Sequence, residues 1–258
     1  MSRRLFVLAT STLLLIIGAA SPATAAEETT DYVALGDSYS SGVGAPAQSG
    51  TCLRSPYGYP ALWAARNDPQ SFTDLSCGGA VTGDVIGTQA PAIPAGADLI
   101  SITIGGNDAG FAPTVIGCQL SSDAACVRTV AEARAEITAT LGAKLDATYA
   151  AIRAKAPSAR VVVLGYPLLF DTSSASCGLA GMSLTKRRAL NDGAQTLNAL
   201  IQQRAQAAGF VWSDVRDEFA GHGICSSSPY LNGLTILPPQ NSFHPNANGY
   251  RYGYLPAL

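Results

Sequence analysis

Only two histidines, His222 and His244, occur in this chain of 258 residues, so there is little to build a zinc site from. Any chemistry that needs an imidazole base has just these two candidates. Charge is also scarce, at 13% Asp, Glu, Lys and Arg, and no basic stripe is present. With a net charge of −2, such a surface would repel a phosphate backbone, which argues against nucleic acid as a partner. Beyond the N-terminus there is no apolar run long enough to span a bilayer, which takes roughly 18 to 20 residues. No internal repeat or linker divides the chain.

The first 26 residues read as an export signal: Arg3 and Arg4, an apolar stretch from Leu5 to Ala20, and a small-residue end at Ala23-Thr-Ala-Ala26. An uncleaved anchor is the alternative, but Thr10, Ser11 and Thr12 interrupt the stretch. Cleavage would start the mature chain near Glu27 and leave 14 Lys and Arg against 18 Asp and Glu, a net charge of −4. The remaining residues, 27–258, suit one domain with a substantial core, and a monomer is expected.

Six cysteines in an exported chain point to three disulfides. The expected pairs are Cys52 with Cys77, Cys118 with Cys126, and Cys177 with Cys225. Only the middle pair has a local argument, a short loop that is cheap to close.

Strand-like runs occur at Asp31 to Leu35, Phe72 to Leu75, Asp98 to Ile104, Arg160 to Tyr166 and Phe210 to Ser213. Several are continuously apolar, as strands buried on both faces are. Helical periodicity is clearest from about Val127 to Ala156, ended by Pro157, and from about Leu184 to Ala208, stopped by Gly209. Strands alternating with helices predict right-handed parallel βαβ units and a three-layer α/β/α domain. Ligands in such sheets gather at the carboxyl ends of the strands, where Ser38, Gly79 and Asn107 each follow an apolar run.

Ser38 closes the run Asp31-Tyr-Val-Ala-Leu-Gly-Asp-Ser at a strand tip. After it come Cys77-Gly-Gly-Ala80, Ile104-Gly-Gly-Asn-Asp108 and Ser242-Phe-His-Pro-Asn246. Acyl transfer needs a nucleophile, a base and donors aimed at a developing oxyanion. Ser38 supplies the hydroxyl and a backbone N–H, Gly79 a second N–H, Asn107 a carboxamide N–H, and His244 the base. Alone, Gly-Asp-Ser and Gly-Gly-Asn-Asp are ordinary turns and His-Pro-Asn a helix start. His222, in a glycine-flanked loop beside Cys225, is the rival base. Asp37 and Asp108 are expected to pin turns. The elbow Gly-x-Ser-x-Gly is not met, because Gly36-Asp-Ser-Tyr-Ser40 ends in serine.

In that order the four blocks resemble those of the SGNH, or GDSL-type, hydrolase family over nearly the whole mature chain. Gly36-Asp37-Ser38-Tyr39 resembles the nucleophile block, with Tyr39 where Leu is usual. The resemblance implies a flavodoxin-like sheet, no cofactor or metal, and the site roles given above. The six cysteines are similar to those of secreted actinobacterial lipases and phospholipases in the family. The resemblance departs at Asn241, where the family usually has Asp three residues before the histidine. A backbone carbonyl can only accept the Nδ1 proton, whereas an Asn side chain could present NH₂, so Ser242 O is the expected orienter and Asn241 the alternative.

The expected function is a secreted carboxylic ester hydrolase that releases fatty acid from lipid esters, as a lipase, esterase or phospholipase A. A carbohydrate O-deacetylase of the same family and a non-catalytic secreted binding domain are the alternatives. Phe111, Leu168, Leu169, Phe170, Tyr230 and Leu231 could line an acyl groove or be ordinary wall packing.

Overall fold

The computed structural model describes residues 30–177 and 181–258; the expected export signal lies outside the described residues. Three apolar runs form the centre of the sheet: β1 (Asp31–Gly36), β3 (Leu99–Thr103) and β4 (Arg160–Leu164) are buried almost throughout. Two shorter strands, β2 (Ser71–Asp74) and β5 (Val211–Ser213), are half-exposed and form the edges. All pairings are parallel, in the order β2-β1-β3-β4-β5. This is the flavodoxin-like order, and its switch point lies between β1 and β3. The chain leaves the carboxyl ends of those two strands toward opposite faces, opening a crevice there.

The helices are α1 (Ser38–Ser41), α2 (Tyr59–Asn67), α3 (Thr82–Asp84), α4 (Phe111–Leu120), α5 (Asp123–Glu136), α6 (Gly142–Lys155) and α7 (Leu184–Ala207). The turn of α2 packs with the C-terminal helical turns Gly249–Tyr254 and Leu255–Ala257, while α3, α5, α6 and α7 pack among themselves in the second layer. A π-turn, Ile137–Leu141, joins α5 to α6 in one continuous helical run. That run starts earlier than its apolar period suggests. Ser122 caps it through Ala125 N at 3.2 Å, and its exposed first turn carries no apolar signal.

Tyrosines fill much of the core beneath the switch point, and the hydroxyls of Tyr32, Tyr59, Tyr250 and Tyr254 find partners there. Tyr32 meets Ser101 Oγ at 2.7 Å and Tyr59 meets Ser40 Oγ at 3.0 Å. Tyr254 donates to Gly165 O at 2.8 Å, and Tyr250 donates to Val43 O at 2.7 Å, tying the C-terminal turns to the loop after β1. Disulfides join Cys52 to Cys77, Cys118 to Cys126 and Cys177 to Cys225, the expected pairing, and all three lie outside the strands. Among the described residues no helix is long and apolar enough to cross a membrane.

Candidate active site

β1 ends at Gly36, whose φ of +114° is open to glycine but strained for any other residue. A Cβ there would lie 2.3 Å from Thr103 O, so glycine also lets β1 and β3 run side by side to their tips. Asp37 then caps α1 by accepting from Tyr39 N at 2.9 Å, which presents Ser38 at the first helical position. The backbone N–H groups of Ser38 and Gly79 donate to no other group among the described residues. An N–H at the first position of a helix has no intrahelical acceptor and is free to face a ligand.

His244 reaches the serine from the C-terminal side of the chain: its Nε2 lies 2.8 Å from Ser38 Oγ and its Nδ1 2.9 Å from Ser242 O. A carbonyl can only accept, so Nδ1 carries the proton and Nε2 presents its lone pair to the serine hydroxyl. The Asn241 side chain is engaged elsewhere, accepting from Gln48 Nε2 at 2.7 Å. His222 is likewise committed: its Nδ1 pairs with Ser228 O at 2.7 Å and its ring stacks on Tyr230 at 3.8 Å. The structure thus brings His244, and not His222, to Ser38.

Gly79 adopts φ +84° with nothing near its absent Cβ, so its face of the site is unobstructed. Asn107 donates one Nδ2 proton to Ala80 O at 2.9 Å, leaving the second for the cleft. Asp108 fastens the same two blocks together, accepting from Thr82 N at 2.8 Å and Thr82 Oγ1 at 2.7 Å. It pins a turn, as its sequence context suggests.

Two tyrosines complete the framework. Tyr166 donates to the Asp37 carboxylate and accepts from Gly106 N at 2.9 Å, linking the serine turn to the asparagine turn. Its signal in the sequence is its position just past the end of β4, on the same sheet edge as the other blocks. Tyr39 packs its ring 5.2 Å from the imidazole and donates to Phe243 O at 2.6 Å. Phe243 has φ +62°, and that hydroxyl holds the strained peptide just before the histidine. This is what a tyrosine provides where leucine is usual. Gln89 bridges the tip of β1 from below, accepting from Gly36 N at 2.7 Å and donating to Gly36 O at 2.9 Å.

Burial sets the charge state of both titratable groups. Desolvation pulls the His244 imidazole down to about 4, only partly offset by its hydrogen bond to Ser242 O, so the ring is neutral at ordinary pH. Desolvation also pushes the Asp37 carboxyl up to about 7, against the hydrogen bonds from Tyr166 and Tyr39 N that favour its charged form.

The four blocks border a cleft of about 400 Å³ whose other walls include Val43, Leu53, Phe111, Ala112, Ile116, Pro239 and Gln240. Of the six groove candidates taken from the sequence, only Phe111 lines it. Leu169, Phe170 and Leu231 are core residues: the chain after β4 pairs with the 220s loop at Phe170 and Ile224, and Leu231 pairs with Pro245. Tyr230 packs on Phe219 and His222. Among the described residues no cluster of His, Cys, Asp and Glu could hold a metal ion.

Residues 34–252 match the GDSL-like Lipase/Acylhydrolase family. The chain is 49% identical over 249 residues to a lipase of Streptomyces rimosus, covering 95% of this chain and 92% of that one. It is 47% identical over 247 residues to Lipase 1 of Streptomyces coelicolor, covering 94% and 91%. The crystal structure of an extracellular lipase from Streptomyces rimosus superposes with a TM-score of 0.85 at 50% identity, covering 89% of this chain and 98% of that one. The phospholipase A1 of Streptomyces albidoflavus superposes equally well, with a TM-score of 0.85 at 45% identity and the same coverage. With a match across most of its length and relatives this similar, the chain belongs to the GDSL-like lipase/acylhydrolase family.

Proposed function

We propose that the chain is a secreted serine carboxylic ester hydrolase that releases fatty acids from lipid esters, phospholipids included. Residues 1–26 would be the cleaved signal and 27–258 the single hydrolase domain. The observation that carries this reading is the 2.8 Å contact between Ser38 Oγ and His244 Nε2 at the floor of an apolar cleft. The names of its relatives, lipases and a phospholipase A1, support the substrate class.

In this mechanism Ser38 Oγ attacks the ester carbonyl as its proton passes to His244 Nε2, and the carbonyl π-electrons move onto oxygen. The oxyanion is met by the N–H groups of Ser38 and Gly79 and by Asn107 Nδ2. Collapse expels the alcohol, which takes the proton from His244 and leaves an acyl-Ser38. Water then repeats the sequence, releasing the carboxylic acid and restoring the serine. A buried, neutral imidazole suits this role, because it gains its proton only as the oxyanion's negative charge develops nearby. Ser242 O stabilises the imidazolium through Nδ1, taking the place of a carboxylate.

The testing experiment measures fatty-acid release from phosphatidylcholine and triglyceride dispersions, with acetyl and long-chain chromogenic esters alongside, in the wild type and Ser38→Ala. Ser38-dependent release of long acyl chains is expected. Turnover of acetyl esters alone would move the assignment to a deacetylase, and no turnover at all to a binding domain.

The histidine's orientation has its own test. Asn241→Ala should keep kcat/KM within about threefold of the wild type, because that side chain touches Gln48 and not the imidazole. A collapse as deep as that of His244→Ala would overturn the assignment of Ser242 O as orienter.

A further inference from the structure

Large aliphatic side chains stand in solvent on both sides of the cleft mouth. On one side, α4 exposes Leu120 at 83% and Ile116 at 46%. On the other, the loop before the histidine exposes Ile236 at 83%, Leu237 at 85% and Leu234 at 59%. Single exposed leucines are unremarkable on any protein, but a cluster at the rim of an apolar site is not. Ile116 is part of the cleft wall, and Leu120 follows it by one helical turn. Opposite, Pro239 and Gln240 line the cleft directly after Leu237 and Pro238. Each exposed group is therefore continuous with the cleft lining.

Both walls are also free of formal charge. No Asp, Glu, Lys or Arg occurs from Ala109 to Ser122 or from Phe219 to Tyr250. Pressing either wall into a medium of low dielectric would thus strip water from no ion. The protruding loop satisfies part of its own backbone. Ser242 Oγ accepts from Thr235 N at 2.9 Å and donates to Thr235 O at 3.2 Å, so both backbone polar groups of Thr235 have partners without water.

From these features we infer that Leu120, Ile116, Leu234, Ile236 and Leu237 form a docking face for an uncharged or zwitterionic lipid surface, seating the cleft mouth on the lipid. The occupant follows from continuity. An acyl chain drawn from a lipid layer into the cleft passes between these two walls, and apolar rims let it do so without crossing water. The absence of basic residues separates this face from those that seek anionic lipid. The inference rests on the lipid-ester reading of the site, and its test is arranged to stand or fall separately.

The test measures binding of the Ser38→Ala protein to phosphatidylcholine vesicles, so no lipid is consumed. Ile236→Ser with Leu237→Ser should weaken the partition coefficient about 100-fold, and Leu120→Ser about 10-fold. Salt up to about 0.5 M should leave binding unchanged or strengthen it. In the protein with Ser38 intact, the same rim substitutions should leave turnover of a dissolved short-chain ester unaltered, which verifies folding. Wild-type binding in both rim variants would overturn the inference, as would binding that needs anionic lipid and vanishes in salt. A dimer in solution that the Ile236 and Leu237 substitutions dissociate would also overturn it, assigning the face to a second copy of the chain. Failure of the wild type to release long acyl chains would instead count against the substrate reading, because vesicle binding is measured without turnover.

Discussion

Ser38→Ala and His244→Ala should each lower kcat/KM by at least about 10⁴-fold, and the double variant should be no worse than either single one. The non-additivity follows from the geometry. In the proposed mechanism Ser38 Oγ is activated only through the 2.8 Å contact with His244 Nε2, and the imidazole has no role once the hydroxyl is gone. Residual activity should come from the oxyanion donors acting on water, which both substitutions leave in place. Thermal unfolding should shift little in Ser38→Ala, which removes one side-chain hydrogen bond, and more in His244→Ala, which removes two and the ring packed on Tyr39, while both leave the sheet core intact. Near-wild-type rates in His244→Ala would point to His222, which would have to leave Ser228 O and its stack on Tyr230 to reach the serine.

Asn107→Ala should lower kcat by about 10²- to 10³-fold with a smaller change in KM, since its free N–H meets charge that exists mainly in the transition state. The backbone around it should hold. Asp108 still clamps the turn to Thr82, and Gly106 N still donates to Tyr166. Asn107→Asp separates charge from shape, because a carboxylate of nearly the same size would face the oxyanion. It should be slower than Asn107→Ala. An Asn107→Ala rate within about tenfold of the wild type would leave the Ser38 and Gly79 N–H groups as the sufficient pair.

The parts legible in the sequence are those whose physics is local. β1, β3 and β4 are buried on both faces and stand out as apolar runs, and the long helices stand out by period. The helices α2 and α4 do not, because each buries only two residues and α4 carries Pro113 and Gly117 inside it. The four blocks that the structure gathers around the cleft stand out in the sequence because each is a short turn carrying one polar or glycine residue at its tip. Tyr166 shows only its place at the sheet edge just past β4, and Gln89 shows nothing. Their contacts, to Asp37 across 129 positions and to Gly36 across 53, leave no trace in any window of sequence. At Leu169, Phe170 and Leu231 the sequence leaves groove lining and wall packing both open, and the structure places all three in packing. An apolar loop residue looks the same whether the chain then turns toward the cleft or folds back into the core.

The opposite displacements of Asp37 and His244 have a consequence for how the fold responds to acid. Both groups are held toward their neutral forms, but neutrality means a bound proton for the carboxyl and a missing one for the imidazole. Asp37 moves from an ordinary 3.8 to about 7, so between those values the folded chain holds a proton that the unfolded chain releases. Stability from this group is greatest at low pH and is lost as pH rises through 7. His244 moves from 6.5 to about 4, so the unfolded chain takes up a proton that the folded one refuses. Stability from this group is present above 6.5 and lost as pH falls toward 4. Between about 4 and 6.5 the two slopes have opposite sign and similar size. Taken together they exchange almost no net protons with solvent on unfolding in that range, so the two buried groups, one next to Ser38 in sequence and one touching its hydroxyl, do not add to the acid sensitivity of the fold.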